Sequence, residues 1–156
     1  MKKSIFAVLL VLWMGFIFSM SSQHAEKSSN TSGQTIRAVL SMVPAYENQP
    51  EDVKEVIVEE LQFIVRKSAH FIAYMILGIL SSGLIIQYKN IDKKYLISFV
   101  ICVLYATSDE IHQLFVPGRS GQVSDVLLDS CGSLVGILLV MCFVKLMHKI
   151  RKPKLA

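Results

Sequence analysis

The sequence predicts an all-α membrane protein: a polytopic four-helix bundle with an extracytoplasmic loop that carries short amphipathic helices. Two observations lead to this fold class. Hydrophobic residues make up 53% of the 156-residue chain and lie in long runs, whereas a soluble domain is usually about 45–50% apolar. Lysine and arginine cluster beside these runs, where positive charges set the orientation of membrane helices. A chain of this length is expected to form one domain, residues 1–156.

The charge pattern and the cysteines argue against several other classes of protein. The net charge of +4 does not indicate nucleic-acid binding, because the basic residues flank apolar runs. No Gly-rich phosphate loop or nucleotide-binding pattern occurs in the chain, and the sequence indicates no particular cofactor. Cys102, Cys131 and Cys142 lie in apolar runs without CxxC spacing. We therefore expect small buried hydrophobic side chains, not a disulfide or a zinc site.

The first predicted span covers residues 4–20, an uncharged run that follows Lys2 and Lys3. Its 17 residues reach the lower limit of about 17–25 residues for a spanning helix. A cleaved signal peptide is the alternative, since Ser19-x-Ser21 approximates a small-residue cleavage pattern. Bulky residues continue to the end of the run, and Met20 lies within that pattern, so we favour a retained helix.

Residues 21–62 form the predicted outer loop, which is rich in polar residues and has two segments with helical spacing. The first ends at Pro44, and a second helix is expected to begin near Pro50, with Glu51 and Asp52 in its first turn. Its apolar face opposes Glu55 and Glu59, which predicts a helix that lies along the membrane surface or over the mouth of the bundle.

The remaining spans are predicted at about 68–88, 95–113 and 123–146. A short charged turn at 89–94 separates the second span from the third, and Pro117-Gly118 marks a turn before the fourth. In the fourth span, Gly132 and Gly136 lie one helical turn apart, which permits close approach of a neighbouring helix.

Four spans place the N-terminus, the 89–94 turn and the C-terminal tail on one side of the membrane. That side carries ten lysines and arginines and one acid, whereas the other side carries six basic residues and eleven acids. The excess of lysine and arginine predicts that the first side is cytoplasmic. We therefore expect a multi-pass protein of the bacterial cell membrane with both termini in the cytoplasm.

This topology brings four polar stretches together at the extracytoplasmic ends of the spans. Helical spacing then predicts which side chains share a face, because residues four apart lie on the same side of a helix. Three such stripes are expected to point into the bundle: Arg66, His70 and Tyr74; Asp109 and Gln113; Asp125 and Asp129. His112 is off its stripe and is expected to face another helix or solvent.

The motifs resemble the VanZ-like family of bacterial membrane proteins. The matching stretches are FSMSSQ (Phe18–Gln23), RKSAHFIAYMILGIL (Arg66–Leu80), SDEIHQLFVPGRSGQVSDVLLDSCG (Ser108–Gly132) and Gly136. One departure is Ala73, because an acidic residue often precedes the tyrosine in the family. The resemblance implies a cell-envelope protein linked to glycopeptide resistance, specifically to teicoplanin, and it leaves the biochemical activity open.

The favoured hypothesis is a site that handles the anionic headgroup of a membrane lipid or lipid-linked envelope precursor. The candidate binding residues are Arg66, Lys67, Arg119, Gln113 and Gln23. Arginine suits phosphate because it forms bidentate hydrogen bonds. If the site is catalytic, acid–base work falls to His70, Asp109, Glu110 and Asp125, and Ser120 is a weak candidate nucleophile. The sequence leaves open whether the protein is an enzyme.

Two alternatives stay open. The carboxylates and histidines supply oxygen and nitrogen ligands for a metal ion, but no metal-binding spacing such as HExxH occurs, so no metal ligands are assigned. The charge cluster could instead be a structural interhelical network in a non-enzymatic membrane adaptor. Buried ion pairs are weak stabilisers, which argues against needing so many ionisable groups for structure alone. The oligomeric state is not indicated.

Overall fold

A computed structural model describes residues 2–23, 25–88 and 90–151, and within this part of the chain every regular element is an α-helix. There are six helices in these residues: α1 (Lys2–Ser21), α2 (Ala25–Leu40), α3 (Pro44–Glu47), α4 (Glu51–Ile85), α5 (Lys94–Gln113) and α6 (Val123–Arg151). The all-α prediction is confirmed. Lys89 and the end of the basic tail, which entered the topology argument, lie outside the described residues.

Helix α4 differs most from the sequence prediction. The helix expected near Pro50 does begin at Glu51, but it continues without a break through the predicted second span to Ile85. The predicted boundary rested on a change from charged to apolar composition. No proline or glycine lies between Glu51 and Leu77, so nothing in the chain ends the helix there. Its 35 residues extend over roughly 52 Å, well beyond a hydrocarbon core of about 30 Å.

Helix α4 is also the central helix, in contact with α1, α2, α5 and α6. A cluster of buried side chains joins it to α1 and α5: Ile17, Tyr74, Leu77, Cys102 and Ala106. Tyr105 Oη donates to the carbonyl of Met14 at 2.6 Å, and Trp13 Nε1 donates to the carbonyl of Ala73 at 2.9 Å. These bonds make α1 an integral part of the bundle.

Backbone-to-backbone packing joins α4 to α6. A methyl group on Gly132 would meet the carbonyl of Phe71, and one on Gly136 would meet the carbonyl of Met75. Gly78 faces the backbone of Ser133 in the same way. The two glycines of α6 therefore permit the close approach that their spacing predicts, and α4 is the helix they approach.

Within the described part of the chain, three helices are long and apolar enough to cross a membrane: Lys3–Ser21, Glu51–Ile85 and Val123–Ile150. Many of their large hydrophobic side chains are exposed, among them Val11, Leu12 and Phe143, as expected for side chains that face lipid. Helix α5 is not among the three. Its 20 residues would extend over about 30 Å, but Asp109, Glu110 and His112 occupy its last turns.

Two further sequence predictions can be compared with the fold. The first segment of the outer loop with helical spacing, predicted to end at Pro44, contains α2, which ends at Leu40. Helix α2 packs against the first half of α4, with Gly33 against the side chain of Gln62. The burial predicted for the cysteines is right only for Cys102, since Cys131 and Cys142 are exposed and all three are free thiols. The apolar pattern could not separate these positions, because a membrane helix is apolar on its lipid face as well as its core face.

Candidate functional site

Polar side chains meet where α1 and α5 end and α6 begins, which we call the polar end of the bundle. Asp109 is 2% exposed and joins three helices there. Its Oδ2 accepts a hydrogen bond from Ser21 Oγ at 2.7 Å and another from Tyr74 Oη at 3.3 Å. The other oxygen, Oδ1, is buried and has no hydrogen-bond partner. Asp109 thus connects α1, α4 and α5.

Two contacts link α4 to α6 at the same level. His70 Nδ1 lies 3.7 Å from Asp129 Oδ2, and Lys67 forms an ion pair with Asp125. Asp129 is fully buried, whereas Lys67 and Asp125 are each about three-quarters buried. Lys67 and His70 are three residues apart on α4, and Asp125 and Asp129 are four apart on α6; both spacings put a pair of side chains on one face of a helix.

Glu110 fixes the loop between α5 and α6. Its Oε2 accepts from the backbone N–H of Gln122 at 2.9 Å, and its Oε1 accepts from Gln113 Nε2 at 3.3 Å. Gly121 lies so close to the carbonyl of Glu110 that an added methyl group would be 2.6 Å from it. Glu110 therefore holds the segment that carries Arg119.

The two arginines lack the carboxylate partners that Lys67 and His70 have. Among the described residues, neither Arg66 nor Arg119 forms an ion pair. Arg119 Nε donates to the carbonyl of Gln23 at 3.2 Å. Burial of the guanidinium and the like charge of Arg66 lower the pKa of Arg119. An anion placed beside both guanidinium groups would relieve this unfavourable charge.

Two pockets open at the polar end, and Arg66, His70 and Arg119 line both. The first pocket, of about 240 Å³, lies mainly between apolar side chains of α1 and α4. The second pocket, of about 210 Å³, lies between α4 and the α5–α6 loop and is also lined by Lys67, Gln113 and Asp125. The two arginines therefore stand between an apolar compartment and a polar one.

The structure sorts the predicted site residues into three groups. Seven of them line one or both pockets: Arg66, Lys67, His70, Gln113, Arg119, Ser120 and Asp125. Asp109 and Glu110 lie behind the pockets, where they hold α1 and the α5–α6 loop. Gln23 contributes its carbonyl to Arg119, while its side-chain amide contacts Met20 Sδ at 3.6 Å.

The contact of Ser21 with Asp109 was not predicted from the sequence. Ser21 is 1% exposed and bonds to Asp109, whereas Ser19 is exposed. Two residues advance a helix by about 200°, so these serines point in opposite directions. The periodicity of Ile17 and Ser21, four residues apart, is the signal that could have identified the inward face. His112 does face another helix: its Nε2 lies 3.1 Å from Ser22 Oγ, and its ring stacks on Phe18.

Among the residues that the structure describes, no three His, Cys, Asp or Glu side chains are grouped so that they could hold a metal ion. Here the carboxylates contact hydroxyl, lysine, histidine and backbone N–H groups instead.

Comparison with known proteins gives the family. The family model VanZ/LLP1 matches residues 6–145, which includes every helix from α1 to most of α6. No curated protein and no solved structure matches the chain. The resemblance inferred from the motifs is confirmed: the chain belongs to the VanZ/LLP1 family.

Proposed function

We propose that this VanZ/LLP1 membrane protein binds the anionic headgroup of a lipid or lipid-linked envelope precursor at the outer face of the bacterial cell membrane. One observation carries the proposal: Arg66 and Arg119 line both pockets at the polar end and have no ion-pair partner among the described residues. Arginine is charged at all physiological pH values and matches phosphate oxygens with two parallel donors. A phosphate-bearing headgroup would supply the missing negative charge.

The other charged residues support a binding role for the arginines in particular. Lys67 is already neutralised by Asp125, and His70 faces Asp129. An anion that enters the second pocket therefore meets two guanidinium groups without an ion-pair partner among the described residues, beside a lysine that has one; Asp109 and Glu110 act on Arg119 only from a distance. Gln113, Ser120 and Gln122 offer uncharged hydrogen-bonding groups around them, which suits a headgroup with hydroxyl or amide groups.

The position of the site relative to the membrane is part of the proposal. We infer that α5 is a fourth span, so that both termini are cytoplasmic and the polar end is extracytoplasmic. The excess of lysine and arginine near the N-terminus, the 89–94 turn and the tail supports this orientation. The polar end would then lie at the level of the outer-leaflet headgroups.

Lipid binding tests the proposal directly. Full-length protein in nanodiscs of phosphatidylcholine is titrated with phosphatidylglycerol, and the bound lipid is counted by native mass spectrometry. We expect the Arg66→Gln/Arg119→Gln variant to lose the preference for the anionic lipid by about tenfold, since a charge-assisted hydrogen bond contributes about 1.5–3 kcal/mol. Arg37→Gln is the matched control, because Arg37 is exposed and lines neither pocket. Equal preference in all three proteins would refute the proposal.

The family relationship extends the proposal to glycopeptide response. We expect cells that express the wild-type chain to tolerate more teicoplanin than cells that express the Arg66→Gln/Arg119→Gln variant at the same membrane abundance. Minimum inhibitory concentrations measure this difference. Unchanged susceptibility with and without the wild-type chain would remove the resistance role and leave the lipid-binding role to stand on its own experiment.

A non-enzymatic adaptor is the second candidate function, and the buried carboxylates favour it. Asp109 and Asp129 are 2% and 0% exposed and connect helices, as a structural network would. Under this alternative the protein recruits a partner and changes no lipid. The nanodisc experiment distinguishes the two, because an adaptor shows no preference for the anionic lipid that depends on Arg66 and Arg119, whereas lipid extracts from cells with and without the protein differ in headgroup composition only if the protein is an enzyme.

A further inference from the structure

The first pocket has the composition of a chain-binding groove. Six apolar side chains line it, three from α1 and three from α4: Phe16, Ile17, Met20, Val65, Ala69 and Ala73. Ser32 and Gln62 lie at one end, on the part of the bundle where α2 packs against α4. Pockets that take apolar ligands are lined in this way, with few polar groups to fix orientation.

The length of the groove suits the first part of a lipid chain within one leaflet. Arg66 and Ala73 are both lining residues on α4 and are seven positions apart, which corresponds to roughly 10 Å along the helix. Half of a hydrocarbon core is about 15 Å thick. Helix α1 runs antiparallel beside it, so that Phe16 lies at the deep end with Ala73.

The positions of the charged side chains determine how an amphiphilic ligand would be oriented in the two pockets. Arg66, His70 and Arg119 form the wall shared by the first and second pockets. Among the described residues that line the first pocket none is a carboxylate, and beyond the shared wall Lys67 and Asp125 line the second. A molecule that spans both pockets would therefore present an apolar chain, then an anion, then a polar group.

We propose that the first pocket binds one acyl chain of an anionic phospholipid, with the phosphate between Arg66 and Arg119 and the polar headgroup in the second pocket. This inference rests on the proposed function and adds a binding site for the acyl chain to the proposed headgroup site. The ligand is a lipid and not free phosphate, because free phosphate would leave the apolar pocket unused. Seating the chain places the phosphate beside the arginines without further loss of freedom, which strengthens binding.

Photolabelling tests the position of the chain. Full-length protein is placed in phosphatidylcholine vesicles that contain phosphatidylglycerol with a diazirine near the middle of one acyl chain, and labelled peptides are identified by mass spectrometry. We expect labels concentrated at the deep end of the groove, on the α1 segment with Phe16 and on the α4 segment with Ala73. Labels spread evenly over lipid-facing residues such as Val8 and Leu12 would overturn the inference.

Substitutions that fill the pocket give a second, independent test. Ala69→Phe should lower the specific labelling at least fivefold, whereas Ser68→Phe should leave it unchanged, because exposed Ser68 lines neither pocket. Dihexanoyl-phosphatidylglycerol, whose short chains reach less of the groove, should bind Ala69→Phe nearly as well as it binds wild type. Labelling that survives Ala69→Phe would overturn the inference, and so would equal labelling by a diazirine phosphatidylcholine.

Failure of this inference is distinguishable from failure of the proposed function. If the Arg66→Gln/Arg119→Gln variant loses its preference for phosphatidylglycerol while Ala69→Phe changes nothing, the headgroup site stands and the chain pocket is refuted. If the arginine variant also keeps the preference, both are refuted. Competition by inorganic phosphate as effective as that by phosphatidylglycerol would show that the chain contributes nothing, which also overturns the inference.

Discussion

At the scale of single residues, the sequence predicted which side chains enter the bundle better than it predicted their partners. The four-residue spacings correctly predicted inward positions for Tyr74, Asp109 and Asp129, which are all buried, whereas Arg66, at the outer end of its stripe, is exposed. The partner of Asp109 proved to be Ser21. This could not be predicted, because it depends on the rotation of α1 about its own axis, and α1 is almost uniformly apolar.

Ser21→Ala should destabilise the protein, while Ser19→Ala should not. The first change removes the shorter hydrogen bond to a buried carboxylate that already has one unpartnered oxygen. In membrane proteins such interhelical hydrogen bonds contribute about 0.6 kcal/mol on average, with a maximum of about 1.7. Equilibrium unfolding in bicelles measures the difference between the two variants. Equal stability of both would mean that Asp109 does not depend on α1.

At the scale of the helices, the sequence predicted the ends of elements where a strong local signal existed. Proline at the start of α4 gave its N-terminus to within one residue. The continuity of α4 was missed, because the change from charged to apolar residues near Leu61 marks a change of surroundings and not of backbone conformation. Composition reports what a helix faces, whereas only glycine, proline and capping residues report where it ends.

The unbroken α4 predicts a fixed distance along it. In a cysteine-free background, spin labels at Val56 and Ile72, both exposed, are separated by 16 positions, or about 24 Å of helix. Double electron–electron resonance should give one narrow distance distribution near the value calculated for a straight helix with these labels. A broad or markedly shorter distribution would indicate a bend where the loop and the span were predicted to meet.

The close packing at the glycines of α6 predicts that adding a methyl group there lowers the stability of the bundle. Gly136→Ala should destabilise the bundle because the added methyl group meets the carbonyl of Met75, so that α4 and α6 must separate. Gly15→Ala is the control, since nothing lies within 4 Å of a methyl group there. The control should be neutral or gain up to about 1 kcal/mol from helix propensity. Thermal unfolding in detergent ranks the variants, and a neutral Gly136→Ala would refute the close contact.

At the scale of the whole molecule, the family and the helical bundle follow from the sequence, but the number of spans does not follow from hydropathy alone. Helix α5 packs against both α4 and α6 and carries Asp109 and Glu110, which bond within the protein. The residues that link α5 to the polar end are the same residues that lower its hydropathy. Under the proposed four-span arrangement, these polar residues are the reason that α5 is not among the three helices selected by length and hydropathy.

The proposed four-span arrangement predicts opposite accessibility for two exposed positions on either side of α5. In a cysteine-free background, a single cysteine at Ser120 should react with a membrane-impermeant maleimide on intact cells, whereas one at Asp92 should react only after the cells are opened. Ser120 lies in the loop between α5 and α6, and Asp92 lies in the turn between α4 and α5. Reaction of both under the same condition would mean that α5 does not cross the membrane.

The wall that separates the two pockets has a thermodynamic consequence. Both pockets share the charges of Arg66 and Arg119. A ligand in one pocket therefore changes the affinity of the other pocket for its ligand. This coupling is equal in both directions. Two separate anions would oppose each other, because the first would use up the attraction that the second needs. A single amphiphile satisfies the pair once. Under the proposed lipid binding, the shared wall thus favours one ligand with a single anionic group over two separate anions.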